Sequence, residues 1–185
     1  MPFFLLLVLC VAIAVAVIFN LLVNKRQLTK NGWSDIDVQL KRRADLIPRL
    51  VEVVKGYAVH ERTLFEEIAQ KRSLAMAAGD DPAARGAAES ALSRPVSKMV
   101  AVAEDYPDLK ASEQFLDLQR QLAETEDKIE MARRFYNGAV RELNTLVASV
   151  PSNIVANAFG FVKRDYFEID ESSRATPAIS TGATE

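Results

Sequence analysis

The sequence predicts an all-α fold: a single N-terminal transmembrane helix followed by an antiparallel bundle of three to four long helices. Three observations predict it. The chain opens on a long uncharged apolar run, two later stretches repeat apolar residues at alternating steps of three and four, and breaks rich in glycine or proline separate these stretches. The alternation of three and four is the period of one helix face. Helices with one apolar stripe each must bury it against one another, which makes a bundle. The expected division is an anchor over 1–24, a bundle over 25–168 and a flexible tail over 169–185.

From Pro2 to Phe19 the run PFFLLLVLCVAIAVAVIF is uninterrupted apolar. With Leu21, Leu22 and Val23 it reaches the roughly 20 residues needed to cross a hydrocarbon core. A cleaved signal peptide is the competing reading. Such a leader begins with basic residues and has a shorter apolar stretch, and this run has neither property. A lipoprotein leader fits less well still, because Cys10 follows bulky Leu9 and lacks a basic leader. Charge returns abruptly after the span with Lys25, Arg26 and Lys30. The positive-inside bias then places the N-terminus outside and the bundle in the cytoplasm. The same three cations are candidates for contact with lipid headgroups.

The first bundle helix is read from Trp33, Ile36, Leu40, Arg43, Ile47, Leu50, Val54, Tyr57, Glu61, Leu64 and Ile68, one stripe on one helix face. Pro48 is expected to kink it. Asn31-Gly32 is a weak point where the anchor can hinge, although a nearly continuous rod is favoured. Asp37 with Lys41, Asp45 with Arg49, and Glu67 with Lys71 lie four apart off the stripe as surface pairs. Gly79 stops the helix. Asp81 then caps a shorter helix that has Pro82 in its first turn and runs to about Glu104, with Pro95 bending or interrupting it.

After the tight connection Asp105-Tyr106-Pro107-Asp108 comes the second long stripe. It comprises Phe115, Leu118, Leu122, Thr125, Ile129, Ala132, Tyr136, Ala139, Leu143, Leu146 and Val150, and Pro151 ends it. A short helix is expected from Asn153 to Phe161.

Arg43 is the anomaly on the first stripe. A guanidinium facing a core either snorkels to the edge or meets a carboxylate. The run ETEDKIE offers Glu124, Glu126, Asp127 and Glu130. Arg43, Glu126 and Glu130 are the candidate contacts that set helix register, or else contact a partner.

Several function classes find little support. Lys and Arg number 23 against 25 Asp and Glu, a net charge of −2, so no basic field awaits nucleic acid. His60-Glu61 begins a zincin-like pattern, but Leu64 stands where the second histidine belongs. The single histidine cannot supply the paired ligands of a di-iron bundle, and Tyr57 holds the glutamate position. There is no phosphate loop or nucleophile elbow. No catalytic residue, metal site or cofactor is assigned, and a metal-dependent enzyme stands last among the readings. The lone Cys10 cannot form an intramolecular disulfide, which fits a reducing compartment.

The stretch Trp33 to Val54, the run AVAEDYPDLKA, the run TEDKIEMARRFYNGAVRELN, and PSNIVANAFGF followed by Tyr166 and Phe167 resemble the LemA family of bacterial membrane proteins. The resemblance covers nearly the whole chain. It departs at Gly32, where alanine is common, at Pro95, and in the tail. It implies a membrane anchor, a bundle of long antiparallel helices, and no established reaction. The partners expected are the lipid bilayer together with either further copies of the chain or other membrane proteins, membrane proteases among them. Two functions follow. One is a non-enzymatic scaffold or adaptor, and the other is a self-assembling homo-oligomer that organises the membrane.

Overall fold

The computed structural model describes residues 1–169, and every regular element among them is α-helical. The tail expected over 169–185 lies, apart from Ile169, outside the described residues. The helices are α1 (Pro2–Lys55), α2 (Arg62–Ala77), α3 (Pro82–Ala103), α4 (Pro107–Lys110), α5 (Glu113–Ala148) and α6 (Ser152–Ala158). At 1.5 Å per residue α1 extends about 80 Å, which joins the anchor and the first bundle helix in one element. It runs unbroken through Asn31-Gly32 and through Pro48, and α3 likewise continues through Pro95.

The chain gathers into two compact units. The first contains Met1–Asp45 and Arg120–Phe167. Here α1 and α5 run antiparallel: Lys25 meets Glu142, Trp33 meets Tyr136, and Arg43 meets Glu126. The interface is apolar where the two stripes face, with Leu22, Ile36, Leu40, Leu122, Ile129, Tyr136, Val140 and Leu143 buried. Burying such side chains contributes about 1.5–3 kcal/mol each and is the main stabilising term.

At Gly32 the two helices approach closely. A Cβ there would stand 3.0 Å from a Phe135 ring carbon and 3.1 Å from the Tyr136 Cα. The glycine that reads as a hinge is therefore a packing contact, and its missing side chain lets α5 draw in.

The second unit comprises Leu46–Gln119 with Glu168 and Ile169. The single stripe expected from Trp33 to Ile68 is divided here, because α1 stops at Lys55 and α2 starts at Arg62. Gly56 weakens the helix, and the chain tightens into i→i+3 bonds, Gly56 N–H donating to Val53 and Tyr57 N–H to Val54. Tyr57 is exposed and Ala58 fills the turn. Doubling back lets α2 bury Leu64, Phe65 and Ile68 against a groove that includes Ile47 and Val51.

Gly79 follows α2 in the left-handed region at φ 68°. The Asp81 carboxylate accepts the Ala84 N–H and caps α3. Along α3, Arg85, Glu89, Leu92, Val96, Met99 and Ala103 form the buried stripe.

Candidate functional site

The polar features of the first unit lie along the α1–α5 seam. Arg43 is among the largest fully buried side chains, at 1 % exposure. Its Nε lies 3.0 Å from Glu126 Oε1, and the glutamate side chain is 36 % exposed. An unpaired guanidinium at this depth would carry a desolvation cost of several kcal/mol. The pair places a charge inside the seam and lets its partner touch solvent. Glu130, one turn on, pairs with Arg134 of its own helix.

Of the three juxtamembrane cations, Lys25 Nζ donates to Glu142 Oε2 at 2.5 Å. That hydrogen bond, with the charge of Lys25 behind it, lowers the Glu142 pKa. The Arg26 guanidinium sits over the Phe161 ring, 4.9 Å from its centre. Lys30 is exposed.

A second arrangement leaves almost no trace in hydropathy. After α6 the chain turns at Gly160, φ 70°, and runs without regular structure along α5 through Phe167. Two asparagines hold it. The Asn144 side-chain amide donates to the Arg164 carbonyl at 2.9 Å and accepts the Arg164 N–H at 2.8 Å. Asn137 does the same for Phe167, at 3.0 Å in both directions. Between them the Tyr136 hydroxyl donates to the Asp165 carbonyl.

The register follows from geometry. Two helical turns advance about 10.5 Å and three extended residues about 10 Å, so asparagines a heptad apart meet alternate ends of one short strap. Phe167 is 0 % exposed and packs edge-on against Trp33, with ring centres 5.6 Å apart.

In the second unit, Arg85 and Glu89 form an ion pair at 3.4 Å with both side chains nearly buried. Sequence reading passed over this pair, although the two residues lie on the stripe of Leu92, Val96 and Met99, the same signal that singled out Arg43. Among the described residues, no group of three or more His, Cys, Asp or Glu side chains is placed to hold a metal ion. His60 is exposed and Leu64 is buried.

Arg43 and Lys25 are paired across the α1–α5 seam, Asn137 and Asn144 hold the chain's own backbone, and α1 carries the apolar run and the first stripe in one helix. The class is that of membrane proteins, with one helix among the described residues long and apolar enough to cross a bilayer. Comparison narrows it, for the family model of the LemA family matches residues 32–180. The chain belongs to the LemA family.

Its relatives include the magnetosome protein MamQ 2 of Paramagnetospirillum magneticum, 24 % identical over 88 % of this chain and 68 % of that protein. MamQ of Magnetospirillum gryphiswaldense is 22 % identical over the same shares. Protein LemA of Metamycoplasma hominis is 25 % identical over 84 % of this chain and 71 % of its own length.

Proposed function

We propose that this protein is a non-enzymatic scaffold: a bundle held at the cytoplasmic face of the membrane by its own first helix, which binds other membrane-associated proteins. The observation that supports this reading is an apolar ridge on the outer face of α5. Met131 is 60 % exposed and Phe135, one turn further, is 50 % exposed. Apolar side chains that stay exposed beside one another give the kind of surface through which proteins meet. Phe135 also lies over Gly32, so the ridge is braced from beneath by a close contact of the α1–α5 seam.

The reading also fits the relatives, which include proteins named for the magnetosome and one named for the family alone. The cytoplasmic orientation rests on Lys25, Arg26 and Lys30 following the apolar run.

A photo-crosslinking residue placed at position 135 of the full-length protein tests this in membranes, with solubilisation and mass spectrometry of what is captured. Reproducible crosslinks to a second membrane protein support the scaffold. Crosslinks confined to copies of this chain, in particles of uniform size, establish the self-assembling alternative in its place. Capture of neither overturns the ridge as a contact surface.

A further inference from the structure

The end of the bundle nearest the anchor carries a surface that the seam does not use. From Leu143 to Val162 the sequence LNTLVASVPSNIVANAFGFV has no acidic, basic or histidine side chain. This stretch packs against the part of α1 that is also uncharged: Leu22, Leu143, Val155, Ala156 and Phe161 form one cluster, and Val15, Ile18, Phe19 and Val23 of the anchor pack onto it. Phe19 meets both Phe159 and Phe161 edge-on. Charge reappears at one level on both strands, with Lys25 bonded to Glu142 and with Lys163 and Arg164 directly after Val162.

The length of the anchor decides the depth of this foot. Only Pro2–Ala14 of the apolar run is exposed all round, and that length is about 20 Å, short of the roughly 30 Å hydrocarbon core. The full run to Val23 gives about 33 Å, which spans it. With the whole run in the membrane, whatever covers Val15–Val23 lies up to about 12 Å below the level of Val23. That is the foot. Its large outward side chains suit the place, since Val150 is 78 % exposed, Ile154 66 %, Phe159 55 % and Val162 68 %, with Ser149 and Asn157 the small polar groups exposed among them.

The foot's backbone also tolerates depth, because lipid offers no hydrogen bonds to open N–H and C=O groups. The Ser152 hydroxyl donates within reach of the Leu146 and Ser149 carbonyls at the end of α5. The Phe161 N–H closes onto the Ala156 carbonyl.

We infer that α6 and the turns on either side of it form an interfacial membrane foot. It inserts Val150, Ile154, Phe159 and Val162 into the lipid of the leaflet where α1 leaves the bilayer. The occupant is lipid rather than a protein partner, because the surface continues that of the anchor and ends where the charges of both segments begin. Lys163, Arg164 and Arg26 then lie at headgroup level, with the Arg26 guanidinium over Phe161. The inference rests on the anchor spanning the membrane and is independent of the scaffold reading.

The test uses full-length protein with Cys10→Ser, reconstituted in nanodiscs of phosphatidylcholine and phosphatidylglycerol. Spin labels are placed singly by Ile154→Cys, Phe159→Cys and Val162→Cys, with Val8→Cys marking the anchor and Val38→Cys the solvated bundle. The expected result is high oxygen and low nickel-chelate accessibility at 154, 159 and 162, as at 8, and the reverse at 38. Water-like values at all three foot positions with lipid-like values at 8 overturn the foot alone. Shielding from both reagents shows protein over the surface and overturns it too. Water-like values at 8 overturn the anchor and the foot together.

Discussion

At the scale of single residues, the Arg43–Glu126 pair makes an asymmetric prediction. Glu126→Gln leaves a guanidinium buried at 1 % exposure opposite a neutral amide. Breaking a fully buried pair costs several kcal/mol, and solvent around the half-exposed glutamate reduces this to about 1–2 kcal/mol. Arg43→Met removes the buried charge itself and leaves Glu126 at the edge, so stability changes by less than about 1 kcal/mol or rises. Thermal unfolding of the two variants in detergent checks the order, and an Arg43→Met loss larger than that of Glu126→Gln would contradict it. Glu142 adds a pH dependence. Because Lys25 lowers its pKa in the folded state, the pair's stabilisation is present at neutral pH and fades as pH falls through the lowered folded value. The gap in melting temperature between the parent and Glu142→Gln should close on acidification, and it should shrink with salt.

At the scale of elements, apolar spacing made the helices legible but not every break between them. The stripe from Trp33 to Ile68 keeps its three-and-four spacing across the turn at Gly56–Glu61, although its members there, Tyr57 and Glu61, are not buried and Ala58 fills the turn instead. Period alone cannot see that turn. The strap along α5 was hidden for another reason: asparagine-to-backbone bonds carry no hydropathy, and only the heptad from Asn137 to Asn144 hints at them. Each asparagine makes two such bonds. Asn144→Ala should therefore cost about 1–2 kcal/mol and speed amide exchange at Arg164 while α1 amides stay protected. Uniform exchange across both would assign the strap no local role. Gly32 tests the seam. Gly32→Ala gains about 1 kcal/mol in helix propensity and loses a comparable amount in crowding against Phe135, leaving stability near parental. Gly32→Leu cannot be accommodated beside the Tyr136 backbone and should cost about 1–3 kcal/mol by melting temperature.

At the scale of the whole molecule, membrane attachment, helical class and family were all legible, because each is written in long repeated patterns. The interaction surfaces were not, since which apolar residues stay exposed depends on what the stripes bury. Met131 and Phe135 sit beside stripe residues in sequence and become a ridge only once α5 has turned its other face to α1. Lys25, Arg26 and Lys30, following directly on the apolar run, predict a cytoplasmic bundle. In the Cys10→Ser background, Val38→Cys should resist a membrane-impermeant maleimide in intact cells and react in inverted vesicles, and reaction in intact cells would reverse the topology.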